Sequence, residues 1–361
     1  MKTRTLFSRL TALAAAGCMV LSLAACGGNG GTTSTVPSPS DAPTQTTTTT
    51  EAPPPTWLNP LTGEMDMLTE NNRPIGIVVT DEDSKLVQLN LECADMYFES
   101  ETEAGIPRIL AIFSSVDRLP TEIGPVRSAR PHFVKFAKSL DCIYCHIGGS
   151  QTGLNTIKEL KMDHITNASV ISPILKASKN LSWNRSVFTR EKILKNVSSK
   201  KFATTTNKTS PYQFGTSTGT GAAPVVNMKI SGNYRMAFTY DATSGLYQKH
   251  RNALSTAVHV TETGGTIEVA NVILMYDNRT FDELYTYKSG KQSTRYDFDM
   301  NSGTGYLATG GTYREIYWVR TDERLAYFEA DGVTPLTVTP GKTFVCLGSD
   351  SYKSQLKFTA E

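Results

Sequence analysis

The sequence predicts an α+β protein in which an α/β layered N-terminal domain precedes a smaller β-rich C-terminal domain. Between residues 74 and 160, apolar β-branched runs alternate with segments of helical spacing, a pattern typical of α/β layers. After residue 224, short alternating apolar runs lie between Gly, Asn and Asp turns, a pattern typical of β-sheets. The polar, Gly/Thr-rich stretch 203–224 separates the two patterns, so we expect the domain boundary there.

The N-terminus is typical of an exported lipoprotein. Lys2, Arg4 and Arg9 precede an apolar stretch that is too short to span a membrane. Small residues follow, and Leu-Ala-Ala stands directly before Cys26, as in a bacterial lipobox. We predict that residues 1–25 are a signal peptide and that Cys26 carries acyl chains such as palmitate, which anchor the chain at the extracytoplasmic face of the cell membrane. The alternative is an ordinary signal peptide in which this cysteine is incidental.

The remaining chain divides into a tether and a folded body. Residues 26–56 hold the predicted lipidated cysteine and a Thr/Pro-rich tract with almost no large apolar side chain. Such a tract cannot bury a core, so we predict a disordered linker that lifts the body off the membrane. The body is long enough for two domains. We place the α/β domain at residues 57–215 and the β-rich domain at residues 216–361.

The charge balance gives no indication of a nucleic-acid partner. The sequence holds 36 Lys and Arg residues against 34 Asp and Glu residues. The predicted signal peptide removes three basic residues and no acidic one, which leaves 33 basic residues and a formal net charge of about −1. Because proteins that bind polyanions usually carry a clear basic excess, we predict no nucleic-acid partner.

Local signals predict the elements of the α/β part. Residues 74–80 are apolar and β-branched, which predicts a buried strand, and the mostly apolar run 107–113 predicts another. A helix is predicted from Pro131, because proline suits the first helical position. The alternating apolar run 142–147 predicts the next strand. A second helix is predicted directly after Ser150, because a serine hydroxyl suits the N-cap.

The first strand-to-helix junction carries two arginines. Residues 124–131 read Gly-Pro-Val-Arg-Ser-Ala-Arg-Pro, so Arg127 and Arg130 flank Ser128 directly before a helix. A helix N-terminus favours anions, and guanidinium groups fit carboxylates and phosphates in a bidentate way. This junction therefore predicts an anion-binding loop.

The second junction is glycine-rich. His146 ends the predicted strand, and Gly148, Gly149 and Ser150 lead into the next helix. Two such junctions at one edge of a sheet would converge on one crevice, where α/β proteins usually bind ligands. Ser150 is more typical of a helix cap than of a nucleophile, since no Gly-x-Ser-x-Gly elbow surrounds it. His146 is either a structural histidine or a general base.

Two hypotheses for this crevice remain open, besides a purely structural protein. In the first, Arg127 and Arg130, with Arg108 as a weaker candidate, bind an anionic ligand of the cell envelope or its surroundings, and Glu99 and Glu103 orient them. Alternatively these arginines only pair with the neighbouring acidic residues. In the second hypothesis the protein is a cell-wall hydrolase or transferase, in which Glu99 or Glu103 acts with His146 as acid and base.

Two patterns resemble cofactor sites but favour plain structure. Residues 142–146 spell Cys-Ile-Tyr-Cys-His, the c-type haem attachment pattern. On a strand the two cysteines point to opposite faces, so they can neither share a haem edge nor form a disulfide. Residues 297–303 imitate a calcium loop, but the glycine falls one place late and no glutamate closes the loop. We predict no cofactor and no metal.

Several motifs are spread over the whole folded body. They are Asn59-Pro60-Leu61-Thr62-Gly63, Arg73-Pro74-Ile75, Ala94-Asp95, Tyr97, Glu99, Ile123 to Pro131, His146 to Ser150, Asn271-Val272-Ile273 and Pro340-Gly341-Lys342-Thr343. Together they resemble the YerB-like lipoproteins of Gram-positive bacteria. The resemblance implies a two-part surface lipoprotein with an α/β-type first domain and a smaller β-rich second domain. The domains of that family have no known function, so the resemblance implies no enzyme activity.

Overall fold

The structure is a computed structural model and describes residues 57–66, 71–81, 87–172, 186–251, 258–286, 289–290, 292–322 and 324–359. The predicted signal peptide, Cys26 and the linker lie outside the described residues. Among the helices that are described, none is both long and apolar enough to cross a membrane.

Strands make up most of the regular structure. The strands are β1 (Trp57–Leu58), β2 (Met65–Asp66), β3 (Ile75–Thr80), β4 (Met96–Glu101), β5 (Pro107–Phe113), β6 (Glu122–Ile123), β7 (Ile143–Cys145), β8 (His164–Ile165), β9 (Ser169–Ile171), β10 (Ser186–Thr189), β11 (Gln213–Phe214), β12 (Gly221–Ala222), β13 (Val225–Lys229), β14 (Arg235–Asp241), β15 (Leu246–Lys249), β16 (Glu268–Val269), β17 (Asn271–Asp277), β18 (Arg279–Thr286), β19 (Gln292–Phe298), β20 (Ser302–Thr309), β21 (Thr312–Arg320), β22 (Leu325–Glu329), β23 (Thr337–Val338) and β24 (Thr343–Ser349). The α-helices are α1 (Pro131–Ser139), α2 (Gln151–Glu159) and α3 (Arg190–Lys200).

One mixed sheet draws strands from both ends of the folded body. Its order is β12-β21-β20-β17-β24-β4-β5-β3-β7-β8, and β22 adds to β21. The C-terminal strand β24 lies between β17 and β4 and runs parallel to both. The predicted boundary at residues 215–216 therefore falls between segments that share this sheet, and the division into two domains stays a prediction.

The predicted α/β layered N-terminal domain is wrong, because strands dominate both parts of the chain and the fold is β-rich. Among the described residues, no α-helix lies between β3, β4 and β5, and β5 pairs antiparallel with both of the others. Strand and helix alternate from β5 to β8, through two helices of nine residues each, and α3 follows β10 later in the chain. Alternation over that short range gave the sequence its α/β appearance.

The large sheet carries an apolar core on each face, because consecutive side chains of its central strands point to opposite faces and both sets are largely apolar. Tyr97 on β4 belongs to the first core, which includes Phe238 and the rest of the inner face of the small sheet β13-β14-β15-β16. Phe98 belongs to the second core, where it packs against α1. Its ring stacks on Phe136 with the centroids 4.0 Å apart. Side chains of consecutive residues on β4 therefore serve separate cores.

Local signals located several elements well. The strand predicted at residues 107–113 is β5, and the helix predicted from Pro131 is α1, which begins at that proline. The second predicted helix is α2, and the hydroxyl of Ser150 accepts a hydrogen bond from the Gly153 amide, as an N-cap does. Each of these signals depends only on residues that are neighbours in the sequence, and the corresponding elements keep their predicted starts in the tertiary fold.

Replacing Ser150 with alanine is expected to lower the free energy of unfolding by about 1 kcal/mol, because the Gly153 amide would lose its acceptor. Urea unfolding measures the change. Ser199→Ala is the control, since Ser199 is exposed in the last turn of α3 and bonds only a helix carbonyl. Equal losses in the two variants would contradict the capping role.

Candidate functional site

The two predicted junctions lie side by side. The Ala129 amide donates to the Gly148 carbonyl (3.1 Å), and the Ser150 amide donates to the Ala129 carbonyl (3.2 Å). Gly149 forms a parallel bridge with Ala129. Gly148 adopts a φ of 65°, in the left-handed region that favours glycine, which lets the chain turn into α2. The N-termini of α1 and α2 are thus held together by backbone hydrogen bonds.

Glu103 lies on the short turn after β4 and binds two of the predicted arginines. Arg130 donates to it through Nε (2.8 Å to Oε2) and Nη2 (2.5 Å to Oε1). Arg108 donates through Nη2 (2.9 Å to Oε1), while its Nη1 donates to the Ser128 carbonyl (2.9 Å). The carboxylate of Glu103 therefore joins the start of α1 to strand β5.

The hairpin β18–β19 adds a fourth guanidinium group that sequence reasoning missed. Arg295 Nε lies 3.9 Å from Glu103 Oε2, and the same side chain forms an ion pair with Glu283. This Nε is buried and has no hydrogen-bond partner among the described residues. Arg127 lies near Arg108, and its Nη1 donates to the Val126 carbonyl (3.2 Å). We call Arg108, Arg127, Arg130 and Arg295 the arginine cluster.

Positive charges outnumber negative charges here, and the pKa values reflect it. Burial, together with the charge of Arg130, lowers the pKa of Arg108 to about 9. Burial alone would raise the pKa of Glu103, but Arg108 and Arg130 outweigh it and hold that pKa well below the usual range. Burial also raises the pKa of Tyr144, whose hydroxyl lies beside the same arginines.

The cluster is covered, in contrast to the open crevice that the sequence predicted. Each of its four arginines is less than a tenth exposed. The hairpin β18–β19 lies over it and is held to α2 by a hydrogen bond from the Thr152 hydroxyl to Asp282 (2.9 Å). A second contact joins Arg279 of the hairpin to Glu101 (2.9 Å). The guanidinium groups are therefore largely shielded from solvent.

The acid and base predicted for a hydrolase do not come together. His146 is buried beside His164, with Nε2 3.1 Å from His164 Nδ1 and Nδ1 2.6 Å from the Gly148 carbonyl. Burial lowers the pKa of His146 to about 4, so the ring is neutral at physiological pH. Glu103 is paired with two residues of the arginine cluster, and Glu99 lies in a third place, inside the first core.

Glu99 belongs to a buried ionic cluster that sequence reasoning missed. Lys249 Nζ lies 2.8 Å from Asp81 Oδ2 and 3.6 Å from Glu99 Oε2. The Tyr234 hydroxyl lies 2.7 Å from the same Asp81 oxygen and 3.0 Å from Glu99 Oε1. Asp81 directly follows the buried strand β3, and its side chain is 1% exposed. We call Asp81, Glu99, Lys249 and Tyr234 the buried ionic cluster.

The haem-like and calcium-like motifs form ordinary structure. Cys142 and Cys145 are buried free thiols, one in the second core and the other in the first. Asp297 lies on β19 and forms an ion pair with Lys135 (2.7 Å). No group of three or more metal-ligating side chains occurs in the part of the chain that the structure describes.

The whole folded body has known relatives. Residues 61–207 match the N-terminal domain, and residues 226–345 the C-terminal domain, of the family described as "Protein of unknown function (DUF3048)". "Putative lipoprotein YerB" of Bacillus subtilis (strain 168) is 25% identical over 298 residues, which cover 81% of this chain and 86% of the relative. The crystal structure of the YerB protein from Bacillus subtilis superposes with a TM-score of 0.66 at 24% identity, over 80% of this chain and 95% of that one. The match in fold and sequence confirms the YerB-like resemblance.

Proposed function

Because this chain belongs to the DUF3048 family of YerB-like proteins, we propose that it is an extracytoplasmic lipoprotein that binds an anionic ligand through the arginine cluster. The ligand carries a phosphate or carboxylate group of the cell envelope or its surroundings. Cys26 attaches the chain to the membrane through acyl groups, and residues 27–56 tether the folded body.

The N-terminal sequence and the relative support the anchor together. The basic start, the short apolar stretch and the Leu-Ala-Ala-Cys26 box are those of a lipoprotein signal. The Bacillus subtilis relative is itself named as a lipoprotein. Both point to a mature chain that begins at the lipidated cysteine.

The observation that carries the binding proposal is the gathering of three guanidinium groups around one carboxylate, with Arg127 near one of them. Arg108, Arg130 and Arg295 all lie within 4 Å of Glu103, and Arg295 Nε has no hydrogen-bond partner among the described residues. Buried cations without matching anions are costly, so an added anion would be stabilised there. Guanidinium groups bind phosphate and carboxylate oxygens through paired hydrogen bonds.

The neighbouring elements suit the same ligand. The N-termini of α1 and α2 lie beside the cluster, and the partial positive charge there favours an anion. In this proposal Ser128 and the loop 148–150, which adjoin the two helix starts, make further contacts with the ligand. The hydrolase alternative has no comparable support, because Glu99, Glu103 and His146 lie in three separate places.

Replacing Arg130 with glutamine is expected to weaken anion binding about 10- to 100-fold, since a charge-assisted contact contributes about 1.5–3 kcal/mol. The probes are inorganic phosphate, a glycerol-phosphate oligomer and a muropeptide. Isothermal titration calorimetry on the mature chain measures the affinity for each probe. Comparing the two phosphate probes with the muropeptide, which carries carboxylates, shows which anionic group the cluster binds.

Arg190→Gln is the matched control, because Arg190 is a partly exposed arginine whose ion pair to Asp117 is long (3.6 Å). It should leave the affinity unchanged. Binding that is absent in the unmodified protein for all three probes, or that falls equally in both variants, would contradict the proposal.

A further inference from the structure

The buried ionic cluster has the composition and geometry of a site for covalent chemistry between side chains. Lys249 places a primary amine against the carboxylate of Asp81, and Glu99 supplies a second carboxyl group beside the amine. All three side chains are at most 1% exposed. Glu99 Oε2 is buried without a hydrogen-bond partner among the described residues, and it lies on the side that faces Lys249 Nζ.

The surroundings of the three side chains exclude water. The Phe344 ring lies 5.7 Å from Lys249 Nζ, and the buried thiol of Cys346 stands next to Glu99 across the pair β24–β4. Burial raises the pKa of Glu99 to about 8, although Lys249 opposes the shift, so this carboxyl group is protonated at neutral pH. Burial opposes both charges of the Lys249–Asp81 pair, but their mutual attraction outweighs it, so the pKa of Asp81 is lowered and that of Lys249 is raised. A reaction between them therefore starts from the ion pair and needs a proton transfer within that pair.

We propose that Lys249 and Asp81 become joined by an intramolecular isopeptide bond, with Glu99 as the catalytic acid and base. The proton of the ion pair first passes from Lys249 Nζ to an Asp81 oxygen, which leaves an amine and a carboxylic acid. The amine lone pair then attacks Asp81 Cγ and forms the C–N bond. Atoms held about 3–3.5 Å apart in a fixed orientation react far faster than free groups.

The remaining steps of the reaction need no oxidant, reductant or other co-reactant. Glu99 takes a proton from the attacking nitrogen and delivers one to the departing hydroxyl, so it ends as it began. The C–O bond of Asp81 breaks, and one water molecule leaves. Tyr234, within hydrogen-bond distance of both carboxyl groups, holds them in place. The product is a neutral amide where the structure has a buried ion pair.

The bond would connect distant parts of the chain. Asp81 follows β3 of the large sheet, and Lys249, 168 residues further on, ends β15 of the small sheet. A covalent link across so long a loop strongly restricts the unfolded chain. The link would therefore protect the folded body against unfolding and proteolysis.

The test is peptide mass spectrometry of the mature chain after digestion with trypsin and a glutamate-specific protease. The expected result is a linked pair of peptides containing Asp81 and Lys249, lighter than their sum by one water, with no tryptic cleavage after Lys249. Separate, unmodified peptides with normal cleavage at Lys249 would overturn the proposal, and a link from Lys249 to Glu99 would overturn the assignment of Asp81.

Variants and an internal control sharpen the result. Lys249→Arg and Glu99→Gln should both lack the link, and the arginine variant should melt about 10 °C lower. Asp81→Asn should still form the amide but lose ammonia instead of water. Lys135 and Asp297 form the same kind of pair at 2.7 Å, but they are partly exposed, so no link is expected there. If a variant fails to fold, the digest of the unmodified chain still decides.

Discussion

Replacing Glu103 with glutamine is expected to lower the free energy of unfolding by about 3 kcal/mol and to tighten anion binding at least about tenfold. The carboxylate is the acceptor for Arg108 and Arg130, and it lies 3.9 Å from the Nε of Arg295, which has no hydrogen-bond partner among the described residues. Without it, buried guanidinium groups lose their counter-charge, which destabilises the fold. An added anion would then take the place of the carboxylate, so stability and affinity should move in opposite directions.

The acid dependence of stability follows from the same contacts. The two arginines hold the pKa of Glu103 well below the ordinary value of about 4.3. Its stabilising contribution is therefore complete above that value and is lost as the pH falls through the lower pKa of the folded state. Chemical unfolding from pH 7 to pH 2 should show the difference between the parent chain and Glu103→Gln shrinking with acid.

Glu329→Gln is the control for both measurements. Glu329 accepts two hydrogen bonds from Arg314 (2.8 and 3.0 Å) in a more exposed pair on β21 and β22. The loss of stability there should stay near 1 kcal/mol or below, with no effect on anion binding. Should Glu103→Gln destabilise the protein while anion affinity stays the same or falls, the arginine cluster is a structural tie and not a binding site.

The sequence predicted those elements whose signals are local. Pro131 and Ser150 mark the starts of α1 and α2. Residues 107–113 form β5, because an apolar run that contains isoleucines favours a strand. The fold class could not be read in the same way. Whether β3 pairs with β5 or with a later strand depends on contacts across the chain, and β24, almost at its end, completes the sheet beside β4.

The candidate site was predictable only where its residues are neighbours in sequence. Arg127, Arg130 and the loop 146–150 meet because each leads into a helix of the same small unit. Glu99 was grouped with them wrongly. In the register of β4 and β5, Arg108 lies opposite Ser100, so it shares the face of Ser100 and not that of Glu99.

One feature of the sequence weakly indicates the buried ionic cluster, namely a lysine at an inward position of β15. On β15, Tyr247 and Lys249 occupy the two inward positions, while Leu246 and Gln248 are partly exposed. A lysine in phase with a buried tyrosine is unusual, because lysine is almost never fully buried unless it is paired. Its partner Asp81 lies 168 residues away, so no spacing rule could have identified the pair.

Replacing Phe98 with alanine is expected to lower the free energy of unfolding by about 4 kcal/mol, because it opens a cavity in the second core. The ring stacks on Phe136 (4.0 Å between centroids) and meets Phe133 edge-on (5.3 Å). It therefore fixes α1 on the central strand β4. Urea unfolding measures the loss, and Phe281→Ala, at a ring that is 65% exposed, should change stability by less than about 0.5 kcal/mol.

The same substitution links the core to the arginine cluster. Arg130 is the residue directly before α1, so a helix that packs loosely cannot hold its guanidinium group against Glu103. We expect faster hydrogen exchange at the amides of α1 in Phe98→Ala, together with weaker binding of the anionic probe. Slow exchange in α1 despite the lost stability would mean that the helix is held by its polar start, through Arg130 and Glu103, more than by its aromatic face.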